Sequence, residues 1–208
     1  MSRVALLSVV GVGGVAGTAL GAYHFKIFSS SVPTIADRLQ KEKYKLLKDD
    51  DPHWTKSLEE YKKKHSGKDS YTVQELKNLC KVFLKKKEVE DNSYSEAKRY
   101  CVSLKKVSER LGDLGFTLLD INTTNSDNNP NKDQWTSLAK KYKTEGVSAK
   151  ELDGLTASTV GDNGAQWSKL QEKCKTVFEK THWDEKYESL VKNAEAWCTL
   201  QGFNGISK

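Results

Sequence analysis

Ile35-Ala36-Asp37-Arg38-Leu39, followed by Tyr44-Lys45-Leu46-Leu47, returns further along the chain as Val107-Ser108-Glu109-Arg110-Leu111, followed by Phe116-Thr117-Leu118-Leu119. The text after each copy also recurs. A polar stretch with one proline leads to His53-Trp54-Thr55-Lys56-Ser57-Leu58 with Tyr61 in one case, and to Gln134-Trp135-Thr136-Ser137-Leu138 with Tyr142 in the other. Each copy then carries two cysteines, Cys80 and Cys101 or Cys174 and Cys198, and the second of each pair follows an aromatic residue. Self-similarity over this span marks a duplicated structural unit. The expected architecture is all-α: an N-terminal membrane helix (residues 1–28), a linker (29–34), and two tandem small helical bundles (35–106 and 107–208).

Helical signals fill most of the chain outside that linker. Thr34 suits the cap of a helix that carries Ile35 and Leu39 on one face. Asp51-Pro52 is a start signal, with a carboxylate for free amides and a proline preset for the first turn. Trp54, Leu58 and Tyr61 then form a stripe. Thr72-x-x-Glu75 reads as a capping box ahead of Val73, Leu76, Leu79, Cys80 and Phe83. Ser93-x-x-Glu96 opens the next helix. Its apolar positions Ala97, Tyr100, Cys101, Leu104, Val107 and Leu111 predict one unbroken helix from 93 to about 111, a rigid joint between the repeats. Gly115 would close it in a left-handed cap. Residues 120–131 and 156–164 read as polar interruptions, and Ser148-x-x-Glu151 as a short helix. Trp167, Leu170, Cys174, Val177 and Phe178 form one late stripe; Tyr187, Leu190, Val191, Ala194, Trp197 and Cys198 form the last. No segment alternates apolar and polar residues for long enough to predict a sheet.

Composition narrows the function classes. Of 208 residues, 37% are hydrophobic and 30% charged, so any core outside the apolar N-terminus is lean. The net charge of +6 comes from 34 basic residues, of which Arg3, Arg38, Arg99 and Arg110 are the arginines. Arginine's planar fork is the usual reader of phosphate and guanine edges. Its scarcity, with lysines interleaved among acids, argues against a nucleic-acid partner and for a solvated surface.

Residues 4–25 carry no Asp, Glu, Lys or Arg and are flanked by Arg3 and Lys26. A helix of about 20 apolar residues spans the hydrocarbon layer, so the lipid bilayer is the first expected partner. Gly13, Gly17 and Gly21 recur every fourth residue and share one helix face, a geometry that permits close helix packing. Ala19-Leu20-Gly21 also offers small residues for signal cleavage. The same stretch formally contains G-x-G-x-x-A, but no second βαβ unit and no acid about 20 residues on supports a dinucleotide site.

Four cysteines beyond such a segment suggest disulfides made outside the cell. Of three possible connectivities, duplication favours Cys80–Cys101 and Cys174–Cys198. Buried thiols are the plain alternative, and a metal site lacks paired C-x₂₋₄-C ligands. Trp54, Trp135 and Trp167 sit at core spacing, whereas Trp183, beside His182, is the best candidate for an exposed recognition anchor. No catalytic or cofactor-binding constellation is legible. His24, His53, His65 and His182 make no helical metal pair, and neither a nucleophile elbow nor a phosphate loop occurs.

The apolar Gly/Ala/Val segment ending Gly21-Ala22-Tyr23-His24, the Ile35-Ala36-Asp37-Arg38-Leu39 motif, the Trp54 helix, Leu79-Cys80 and the terminal Trp197-Cys198 together resemble the paralogous membrane-anchored proteins of haemotropic mycoplasmas. The first repeat departs from that pattern with Tyr100-Cys101 in place of Trp-Cys. The resemblance implies a single-pass protein whose bulk is extracellular, displayed on a wall-less bacterium, with host-cell surface molecules as partners or antigenic variation as its role. It implies no site residue. Two other readings follow from the residues: a scaffold subunit that self-associates through its glycine face, and, more remotely, a small-molecule binder or enzyme.

Overall fold

The structure is a computed structural model that describes residues 32–87, 92–123 and 128–205. The chain divides into two compact units, Met1–Ser31 and Val32–Lys208. The expected membrane helix, with Gly13, Gly17 and Gly21, lies outside the described residues. Among the described residues, no helix is long and apolar enough to cross a membrane.

The second unit is all-helical, as the periodicity predicts. Its helices are α1 (Ile35–Lys41), α2 (His53–Lys64), α3 (Val73–Lys85), α4 (Ser93–Tyr100), α5 (Val107–Asp113), α6 (Lys132–Glu145), α7 (Trp167–Phe178), α8 (Tyr187–Cys198) and α9 (Leu200–Asn204). Local chemistry sets their starts. Before α1, the Thr34 hydroxyl accepts the Asp37 amide (3.2 Å) while the Asp37 carboxylate accepts the Thr34 amide (2.8 Å). Thr72 and Glu75 repeat that exchange before α3, at 3.2 and 2.7 Å. Both are capping boxes, which satisfy amides that a helix start leaves without partners. Asp51 accepts the His53 amide at the head of α2 (3.0 Å). The segment expected to form a helix at 148–151 is a single tight turn, Ser148–Lys150.

The unbroken helix expected from 93 to about 111 is not formed. α4 stops at Tyr100, the chain bends at Cys101 and leaves the helix through residues 102–106, and α5 begins at Val107. The backbone of the break has been recruited elsewhere. Cys101 O accepts the Leu47 amide (3.0 Å), and the Ser103 amide donates to Lys45 O (2.7 Å). These bonds make an antiparallel bridge between Leu46 and Val102. They give the backbone of the break partners outside any helix, and Val102 rather than Leu104 is the buried side chain there. Among the described residues, β-structure is limited to isolated bridges of this kind.

The two halves of this unit make the same bonds at matching positions. The Ile35 amide donates to Lys86 O, and the Val107 amide to Lys180 O, each at 2.9 Å. Leu47 N to Cys101 O is matched by Leu119 N to Cys198 O (3.1 Å), and Ser103 N to Lys45 O by Leu200 N to Thr117 O (2.8 Å). The Trp54 indole donates to Lys48 O (2.6 Å), and the Trp135 indole to Asp120 O (3.0 Å). Tyr61 meets Tyr100 edge-to-face at 5.1 Å; Tyr142 meets Trp197 in the same way at 5.0 Å. After α1 and after α5 the chain turns through a left-handed residue, Lys43 (φ 64°) or Gly115 (φ 88°). Two apolar clusters result. One gathers Ile35, Leu39, Trp54, Tyr61, Leu76 and Tyr100; the other gathers Val107, Leu111, Trp135, Tyr142, Leu170 and Trp197.

Candidate functional site

The four cysteines pair within their own halves. Cys80 of α3 is bonded to Cys101, just past α4, with Cα atoms 5.5 Å apart; Cys174 of α7 is bonded to Cys198 at the end of α8, at 5.7 Å. No cysteine of the chain is free, and all four are buried. Spacing alone places the second turn near residues 184–186. The turn does fall there, just before α8, and the connection that leads to it from α7, residues 179–186, is long because part of it joins the two halves.

That connection makes the most elaborate polar site in the unit. Thr181 forms an antiparallel bridge with Lys106, and the His182 amide donates to Lys105 O (2.9 Å). The His182 ring lies between two backbone groups of the first half. Its Nδ1 accepts the Lys105 amide at 3.1 Å, and its Nε2 lies 3.2 Å from Arg99 O. An amide donor at Nδ1 fixes the neutral tautomer with its proton on Nε2, aimed at that carbonyl. Burial pushes the His182 pKa down to about 4. The Trp183 indole also donates to Arg99 O (2.9 Å), and the Arg99 guanidinium donates back to Trp183 O. Sequence reasoning makes Trp183 an exposed anchor. It is 7% exposed and His182 is 6% exposed, so the anchor is internal. An indole with a carbonyl waiting for its N–H is well hidden without cost.

Charges surround this joint. Lys98 pairs with Glu188 at 2.6 Å, and Lys64 with Glu185. Arg110 donates to Glu42 O and stacks on the Tyr44 ring, 4.6 Å from its centroid. The Glu42 carboxylate takes the Tyr94 hydroxyl (2.6 Å) and Arg38 (2.9 Å). Burial raises the Glu42 pKa, but these donors outweigh it and hold the carboxyl below its usual range. Burial likewise opposes the Lys98 ammonium, and the bond to Glu188 more than restores it. A cleft of about 370 Å³ opens beside the joint, lined by Tyr94, Lys98, Arg99, His182, Tyr187 and Glu188. Both nitrogens of its histidine face backbone partners, Lys98 faces a carboxylate, and Arg99 donates to a backbone carbonyl. The groups are arranged to hold two surfaces together.

Sequence reasoning missed this joint. One signal was in view: Arg38 and Arg110 occupy the same place in the two motif copies, and both reach Glu42. Among the described residues, no group of three or more His, Cys, Asp or Glu side chains is placed to hold a metal. Compared with models of known families, with curated proteins and with solved structures, the chain matches none.

Proposed function

We propose that this chain is a membrane-anchored cell-surface protein whose exported body is two copies of one helical module, and that it acts by binding host molecules. The observation that carries the reading is the pairing of cysteines: one disulfide in each half, at matching positions, with no thiol left over. Bonds of this kind form and persist outside reducing cytoplasm, and a small module with a lean core gains most from such a staple. The apolar run at residues 4–25 supplies the tether, and the likeness to surface proteins of haemotropic mycoplasmas supplies the setting. The matched hydrogen bonds of the halves favour duplication over coincidence. Protease treatment of intact cells tests the location. The expected result is loss of the body at protease doses that spare cytoplasmic proteins. Survival of the body while known surface proteins are digested would refute surface display.

A further inference from the structure

The chain contains two Asn-Gly pairs, Asn163-Gly164 and Asn204-Gly205. Such a pair carries its own reaction. The glycine backbone nitrogen, once its proton is lost to base, attacks the asparagine Cγ. The N–Cγ bond forms, the Cγ–Nδ2 bond breaks, and the side-chain nitrogen takes up a proton and leaves as ammonia. Water then opens the cyclic imide at either carbonyl and gives aspartate or its β-linked isomer. Glycine favours the attack because no Cβ shields its nitrogen. Ring closure also demands a movement: the peptide plane between the two residues must turn until that nitrogen faces the side-chain carbonyl. The fold around each pair decides whether the plane can turn.

Asn163-Gly164 is held on several sides. Both residues are left-handed, at φ 54° and 74°. Asn163 is exposed but Gly164 is buried, and a Cβ added to it would collide with the Thr136 carbonyl and press on the Lys140 amide, both in α6. The turns that carry the pair pack on α6, with Val160 buried and Asp162 paired to Lys143. Backbone bonds from Gln166 N to Val160 O (3.1 Å) and from Ala165 N to Asp162 O (3.0 Å) close them. Turning the 163–164 plane would draw Gly164 off α6 and open these turns with it.

Far less holds Asn204-Gly205. Asn204 is the last residue of α9, and both residues are exposed. A Cβ on Gly205 would meet only the carbonyls of Gly202 (3.4 Å) and Gln201 (3.6 Å). The plane is retained by the Gly205 amide, which donates to Gln201 O (3.0 Å). Fraying ends open at almost no cost, and packed segments at costs that approach global unfolding.

We infer that Asn204 is a site of spontaneous deamidation in the folded protein, that Asn163 is protected from the same reaction, and that the product loosens α9. The last step follows from charge and geometry. A carboxylate at the end of a helix opposes its dipole, and the β-linked isomer adds a backbone carbon that breaks the hydrogen-bond register. In turn, α9 holds the chain that follows α5. Gln201 Oε1 accepts the Thr117 amide (2.9 Å), its Nε2 donates to Gly115 O (3.2 Å), and Phe203 packs against the second core. The inference is independent of the surface reading, because the reaction needs water and base but no partner.

The test incubates the purified full-length chain in detergent at mildly alkaline pH and follows both pairs by peptide mass mapping. A second sample, reduced and held unfolded in denaturant, gives the reactivity of each pair without the fold. The expected result is similar conversion of both pairs in the unfolded sample. In the folded sample Asn204 converts about tenfold faster than Asn163 or more, which corresponds to a difference of about 1.4 kcal/mol in opening. Gly205→Ala, which suits the right-handed backbone at that position (φ −69°), is expected to suppress conversion at Asn204 in both samples. In the converted chain the Thr117 amide is expected to exchange with deuterium faster than in the fresh chain. Equal conversion of the two pairs in the folded sample, faster conversion at Asn163, or an inert Asn204 where the unfolded sample converts would overturn the inference. Conversion with no faster exchange at Thr117 would overturn its last step.

Discussion

His182 holds one half of the body against the other through a lone pair that must stay unprotonated. Its folded pKa, about 4, lies below the ordinary 6.5 because burial opposes the charged ring. A proton on Nδ1 would also face the Lys105 amide, a donor against a donor. Between those two pH values the unfolded chain binds a proton that the folded chain does not, so stability is full above the unfolded pKa and falls as pH drops through the window. At 1.36 kcal/mol per unit, the loss amounts to roughly 3 kcal/mol. Denaturant unfolding of the full chain at about pH 7 and about pH 4 measures it together with the loss from the stabilised carboxylates, and His182→Gln, which keeps a donor and an acceptor without titrating, is expected to show a smaller acid loss than wild type by up to roughly 3 kcal/mol. An equal acid loss in wild type and variant would show that the ring does not carry it. None of this was legible in the sequence, where His-Trp looks like an exposed anchor. The pairing of Nδ1 with Lys105 joins positions 77 residues apart, and no local pattern encodes such a contact.

Helix ends were the best-read elements, because their chemistry is local. Thr34 with Asp37, Thr72 with Glu75, and Gly115 all act within a few residues of where they stand in the chain. Gly115 closes α5 at φ 88°, with the Phe116 amide on Leu111 O at 2.9 Å, and Lys43 fills the same position after α1 at φ 64°. A side chain in the left-handed region costs about 1 kcal/mol or more. Gly115→Ala, with open space around its Cβ, is expected to lower the unfolding free energy by about 1 kcal/mol, measured by denaturant titration. No change would mean that the turn tolerates a side chain at no cost. The break between α4 and α5 was unreadable for the opposite reason. The break at 101–106 is held by distant backbone, Lys45 and Leu47 on one side and Thr181 and His182 on the other. Periodicity placed Ala97, Tyr100, Cys101, Val107 and Leu111 in the core, but within the break it named Leu104, which is half-buried, and passed over Val102, which is buried. It does not report which partner takes the amides.

Across the whole unit, two apolar clusters, two disulfides and one joint follow the order of the chain. The duplication legible in two short motifs extends to backbone bonds that the motifs do not mention, such as Ile35 to Lys86 and Val107 to Lys180. The joint adds that the connection between α7 and α8 fastens the second half to the first. All of this depends on the halves having closed separately, each around its own sulfur bridge. Peptide mass mapping of the protein taken from its native cells, alkylated at lysis and digested without reduction, tests that most directly. The account predicts two linked peptides, Cys80 with Cys101 and Cys174 with Cys198, and no alkylated cysteine. Four alkylated cysteines, or a bridge running from one half to the other, would contradict it.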